Sequence, residues 1–142
     1  MFDARTQTAY AALLLRLSMG VMFLAHAGLK LFVFTLPGTV QFFESIGYPG
    51  FLAYVVTFAE LLGGIALILG FQVRAVALAL VPILIGATIQ HAPSGWMFAN
   101  QGGGWEFPAF WTVALLVQAL LGAGAYALKI PALPEIGERQ PA

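Results

Sequence analysis

Four apolar stretches, roughly residues 9–34, 51–70, 75–91 and 107–128, are each long enough to cross a hydrocarbon core about 30 Å thick. This limits the fold more than any motif does. A segment dissolved in lipid must satisfy its own backbone N–H and C=O groups, so four such segments in series read as helices. A soluble alternative fails on composition, because 61% of positions are hydrophobic and only 8% are charged. A fold of 142 residues leaves too much surface exposed to hide that excess. The expected fold is all-α: an integral membrane four-helix bundle forming one domain over residues 1–128.

The breaks between the stretches carry turn formers. Leu36-Pro37-Gly38 and Tyr48-Pro49-Gly50 bracket the first loop, 70–74 is a tight second one, and the third holds Pro93, Gly95, Asn100 and Gly102-Gly103-Gly104. Within the first loop Thr39 can cap a short helix that Gly47 ends, with Phe42, Phe43 and Ile46 on one face. That helix either rests on the bilayer interface or covers a site beneath it. Residues 129–142 form a polar tail with three prolines and are expected to be extended or disordered. Arg5, Arg74, Lys129 and Arg139 fall on one side of a four-span topology, which makes that side cytoplasmic, along with both termini and the tail. Ala25-His26-Ala27 mimics a signal-peptidase site, but Arg16 within the preceding apolar run argues against a cleaved leader.

Charges inside a span usually face the bundle interior. Arg16, Met19, Phe23, His26 and Lys30 follow a 3-4-3-4 spacing and share one face of the first helix. Thr57, Glu60 and Gly64 do so on the second, Thr88 and His91 on the third, Trp111, Gln118 and Gly122 on the fourth. At about 1.5 Å per residue, with Lys30 and Phe51 set at the outer boundary, Arg16 and Glu60 differ by about 7 Å in height. An extended arginine spans that distance, so the two are expected to pair in mid-membrane. An outer cluster then comprises His26, Lys30, Gln90, His91 and Glu106, with Trp96, Asn100 and Trp105 nearby. Gly63-Gly64, Gly122 and Gly124 suit close helix packing, and Pro82 frees the carbonyl of Leu78.

The two histidines admit several chemistries. With Glu106 they could hold a metal ion, but no H-x-x-x-H or E-x-x-H spacing supports it. As axial ligands from two helices they could bind haem, which two histidines in all make a minor reading. As proton-exchanging groups they could serve a quinone headgroup, or they could simply be satisfied at helix ends. Six Lys/Arg balance six Asp/Glu, which leaves no basic face for nucleic acid, and the absence of cysteine excludes thiolate and Fe–S ligation by this sequence.

The order of these features resembles the DoxX family of small four-helix inner-membrane proteins. Leu13-Leu14-Leu15-Arg16 followed by His26-Ala27-Gly28-Leu29-Lys30 is similar to its R…H-G-x-x-K pattern, departing from it where Ala27 separates His26 from Gly28. Ile46-Gly47-Tyr48-Pro49 resembles its G-x-P turn, and Glu60-Leu61-Leu62-Gly63-Gly64 its E-x-x-G-G core. Trp105-Glu106-Phe107 and Gly122-Ala123-Gly124-Ala125-Tyr126 resemble its closing signatures. The resemblance implies a bacterial-type inner-membrane protein associated with oxidoreductases. It would be the membrane subunit of a quinone-linked enzyme, with a partner oxidoreductase subunit and a homo-oligomer among its expected assemblies. Glu60, His91 and His26 are then the candidate catalytic residues, and Arg16, Lys30, Gln90, Trp105 and Glu106 the candidate ligand-binding ones. A non-catalytic anchor or assembly subunit, and more remotely a small proton-coupled transporter, are the competing readings.

Overall fold

The structure, a computed structural model, describes residues 3–130. It is all-α: α1 (Ala4–Gly28) runs into a π-helical turn (Leu29–Val33) and is followed by α2 (Leu36–Ser45), α3 (Phe51–Leu69), α4 (Val73–His91) and α5 (Glu106–Leu121). Three helical stretches, Ala4–Val33, Phe51–Leu69 and Val73–Ser94, are long and apolar enough to cross a membrane, while α5 is a shorter apolar helix of 16 residues. Leu62, Phe110 and Leu120 are among many large apolar side chains turned outward, as befits a protein whose solvent is lipid. The expected tail lies almost wholly outside the described residues.

Local chemistry sets the ends. Asp3 caps α1 by accepting the Thr6 amide at 2.9 Å, and hydrogen bonding from Thr6, its side chain first and its amide second, holds the carboxyl below the usual range. The cap of α2 is Thr35, not Thr39: Pro37 occupies the first turn, and Thr39 is buried with its hydroxyl on the Thr35 carbonyl. Gly70 ends α3 in the left-handed region at φ 74°, a conformation that favours glycine. α5 stops at Leu121 rather than near Leu128, because Gly122 leaves helical geometry.

Glycines decide which helices meet. A Cβ on Gly20 would sit 2.8 Å from the Gly64 carbonyl oxygen, and one on Gly64 would sit 2.9 Å from that of Gly20, so α1 and α3 cross backbone to backbone. Gly63, one position round α3, instead admits the Leu80 side chain of α4. α4 packs in turn on α5, giving two close helix pairs, α1 with α3 and α4 with α5. Phe23, Leu67, Leu80, Leu84, Trp111 and Leu115 fill the core between them.

Arg16 does not pair with Glu60. Its guanidinium, on a residue 1% exposed, donates to five backbone carbonyls: Leu67 (2.9 Å) and Ile68 (2.5 Å) at the end of α3, and Ala123 (2.8 Å), Ala125 (2.8 Å) and Tyr126 (3.0 Å) beyond α5. The segment after Gly122 thus folds back under α1, where Ala125 N–H also donates to the Ala9 carbonyl and Leu128 N–H to that of Leu69. The reason is one of level. Counted from the Gly20–Gly64 crossing, Arg16 is opposite Ile68 and Glu60 is opposite Leu24, about 12 Å away along the axis. Lys30 and Phe51 are not level with each other, and the glycine crossing is what fixes the relative height of α1 and α3.

Candidate functional site

Beyond the Gly63–Leu80 contact, toward the Phe51 end of α3 and the His91 end of α4, the helices line a cavity of about 480 Å³. Its walls are mainly apolar, from Phe43, Leu52, Val56, Ile83 and Leu84 among others. Five of the residues expected at a site line it: His26, Lys30, Glu60, Gln90 and His91. The π-helical turn carries Lys30, and π-turns of this kind recur at functional positions.

Glu60 is 5% exposed and pairs with Lys30, whose ammonium reaches both carboxylate oxygens, at 3.0 and 2.7 Å. This is the mid-bundle ion pair, with Lys30 in the place expected for Arg16. Two charges that deep persist because each is the other's counterion and hydrogen-bond partner. Two N–H bonds go to Glu60, which leaves Lys30 a third donor.

Each histidine has a defined tautomer when neutral. His26 Nδ1 lies 2.9 Å from the Met22 carbonyl and His91 Nδ1 lies 3.0 Å from that of Gly102. A carbonyl can only accept, so both Nδ1 atoms carry the proton and both Nε2 atoms keep a lone pair. The His26 ring also packs against Trp111, with centroids 5.0 Å apart, and stacks on Phe107 at 6.4 Å. By helical spacing Trp111 shares a face with Gln118 and Gly122. It lines the cavity at 3% exposure, and its buried indole N–H has no hydrogen-bond partner among the described residues.

The remaining expected site residues are elsewhere. Arg16 holds carbonyls at the far end of the bundle, as above. Glu106 accepts the Phe98 amide at 2.7 Å, and Trp105 packs edge-on against Trp96 with centroids 4.5 Å apart, so both brace the loop that leads into α5. Gly104 is pressed against the backbone of Trp96 and Met97, which closes that loop too tightly for any side chain. Among the described residues no three metal-ligating side chains converge. The short helix α2 turns Phe42, Phe43 and Ile46 toward the cavity, and its Thr39 hydroxyl reaches the Lys30 carbonyl at 3.4 Å. It roofs the cavity from the turn that carries the lysine.

A family model for DoxX matches residues 11–93, a span that contains all five polar cavity residues and ends before Trp105 and Glu106. A protein of Bacillus subtilis (strain 168) named "Putative oxidoreductase CatD" is 46% identical over 77 residues, covering 54% of this chain and 56% of the relative. The chain therefore spans little more than half the length of that relative. No solved structure matches.

Proposed function

The chain belongs to the DoxX family, and from that premise we propose that it is the membrane subunit of a quinone-linked oxidoreductase whose quinone ring occupies the Lys30–Glu60 cavity. The observation that carries the reading is an ion pair with a buried carboxylate and a spare donor in the wall of an apolar cavity, which two histidines with fixed tautomers also line. A quinone, when bound, supplies a carrier of two electrons and two protons. Lys30 donates its third N–H to a ring carbonyl, and Glu60 holds the ammonium in place and balances its charge. The Trp111 indole offers a second donor, and Gln90 an amide that orients the ring. His26 and His91 accept protons at Nε2 when a quinol is oxidised and return them in the reverse direction. The electrons pass to or from a partner subunit, since this sequence has no cysteine to hold a metal–sulfur centre.

In this reading both termini and Arg74 face the cytoplasm of a bacterial-type inner membrane, α5 is the fourth span, and the cavity is in the outer half of the bilayer. The test is extraction of the purified protein with organic solvent and mass spectrometry of the extract. Quinone enriched over phospholipid in the wild type, and lost in Lys30→Met and His26→Ala, is the expected result. No enrichment, together with no binding of an added short-chain quinone, overturns it. Arg16 gives the anchor reading some support, because its whole guanidinium serves assembly. Under that reading the same cavity variants leave the partner's activity intact.

A further inference from the structure

Gly86 has no evident reason to be glycine. It lies inside α4 with an ordinary helical backbone, and a Cβ built on it meets nothing within 4 Å. Gly20, Gly63 and Gly64 differ, since at each of them a Cβ would come within 3 Å of a neighbouring helix. A glycine in a helix interior is also less favourable than alanine. What Gly86 does border is the cavity.

Two other lining residues show where that cavity opens. Val55 on α3 is 53% exposed and Pro82 on α4 is also exposed, yet both line the interior. They are about 6 Å and about 14 Å below the outer ends of their helices, Phe51 and His91. An opening between them is therefore on the flank of the bundle, within the apolar length of both helices. Gly86 sits one helical turn from Pro82 on the way to Gln90.

We infer that the cavity is entered sideways from the hydrocarbon layer, and that Gly86 keeps open a channel through which the apolar chain of a membrane-dissolved amphiphile leaves the bundle between α3 and α4. The head of that amphiphile is uncharged overall, matching a lysine already neutralised by its carboxylate. The inference deepens the quinone reading by making the tail, and not only the ring, a determinant of binding.

The test uses the full chain in detergent-free nanodiscs with Trp96→Phe and Trp105→Phe, which leaves Trp111 as the fluorophore. Phospholipids brominated on their acyl chains are expected to quench Trp111, and Gly86→Leu to reduce that quenching at least two-fold. In the same proteins, Gly86→Leu is expected to weaken a decyl-tailed benzoquinone at least ten-fold and its tail-less counterpart less than two-fold. Unchanged bromolipid quenching in Gly86→Leu, or equal weakening of the two quinones, overturns the channel. If neither quinone binds the parent protein while bromolipid quenching still depends on Gly86, the quinone reading fails and the lateral channel stands. Gly86→Ala, which adds one methyl into open space, serves as the control for helix integrity and should melt no lower than the parent.

Discussion

The Lys30–Glu60 pair gives the sharpest quantitative expectation. At 2.7–3.0 Å and an effective dielectric of about 20, the gross attraction is about 6 kcal/mol, most of it offset by the desolvation of both charges. Lys30→Met removes the attraction but leaves the carboxylate buried, with Glu60 5% exposed and unable to reach water without reorganisation. That variant should lose about 3–5 kcal/mol of stability. Lys30→Met combined with Glu60→Leu removes both the attraction and the burial cost, and should return to within about 1–2 kcal/mol of the parent. The coupling between the sites is then about 3 kcal/mol or more, far above what an exposed pair gives. Sodium dodecyl sulfate titration in mild-detergent micelles, followed by the loss of helical circular dichroism, measures all four corners of the cycle. A single variant that costs less than about 1 kcal/mol, or a double variant as costly as the sum of the singles, would refute the claim that each charge is held in place by the other.

Three further outcomes follow from the packing. Arg16→Lys keeps the charge but has three donors for five carbonyls, so at least two are left short, and a loss of about 2–6 kcal/mol in the same titration is expected. Gly64→Ala drives a methyl to within 2.9 Å of the Gly20 carbonyl oxygen and should cost about 1–3 kcal/mol, whereas Gly86→Ala should cost nothing. Asp3 has its carboxyl lowered by hydrogen bonding from Thr6, so its contribution to the first turn is complete above the unfolded-state pKa and is lost as pH falls through the lower folded value. Amide exchange at Thr6, compared between Asp3 and Asp3→Ala at neutral and acid pH, should differ only at neutral pH.

Much of the fold was legible because lipid imposes length and apolarity, and Pro and Gly mark the exits. The face carrying Arg16, Met19, Phe23 and His26 follows from helical spacing alone, and the first three are buried as that spacing implies. What spacing cannot supply is the relative height of two helices. That is set by where backbones touch, and Gly20 and Gly64 touch at a level that puts Lys30, not Arg16, within reach of Glu60. Spacing puts Trp111 on the face of its helix that carries Gln118, but an unpaired indole N–H becomes visible only when its surroundings are built. Glu106 and Trp105 fall on the same side of a four-span topology as His91, which groups them with the site, but the loop they brace turns them to its own residues.

The five-carbonyl grip of Arg16 also sets a timetable for biogenesis. Along the chain Arg16 precedes three of its five acceptors, on Ala123, Ala125 and Tyr126, by 107, 109 and 110 residues, so the ribosome delivers the arginine well before them. Until they arrive, a guanidinium is only partly sheltered from lipid, which near the middle of a helix costs about 2.5–3.5 kcal/mol on insertion scales. The nascent protein is thus vulnerable until that segment is made and becomes secure only once it folds back under α1. A chain shortened before residue 122 would strand that cation, and membrane proteases that survey unfinished products should clear it first.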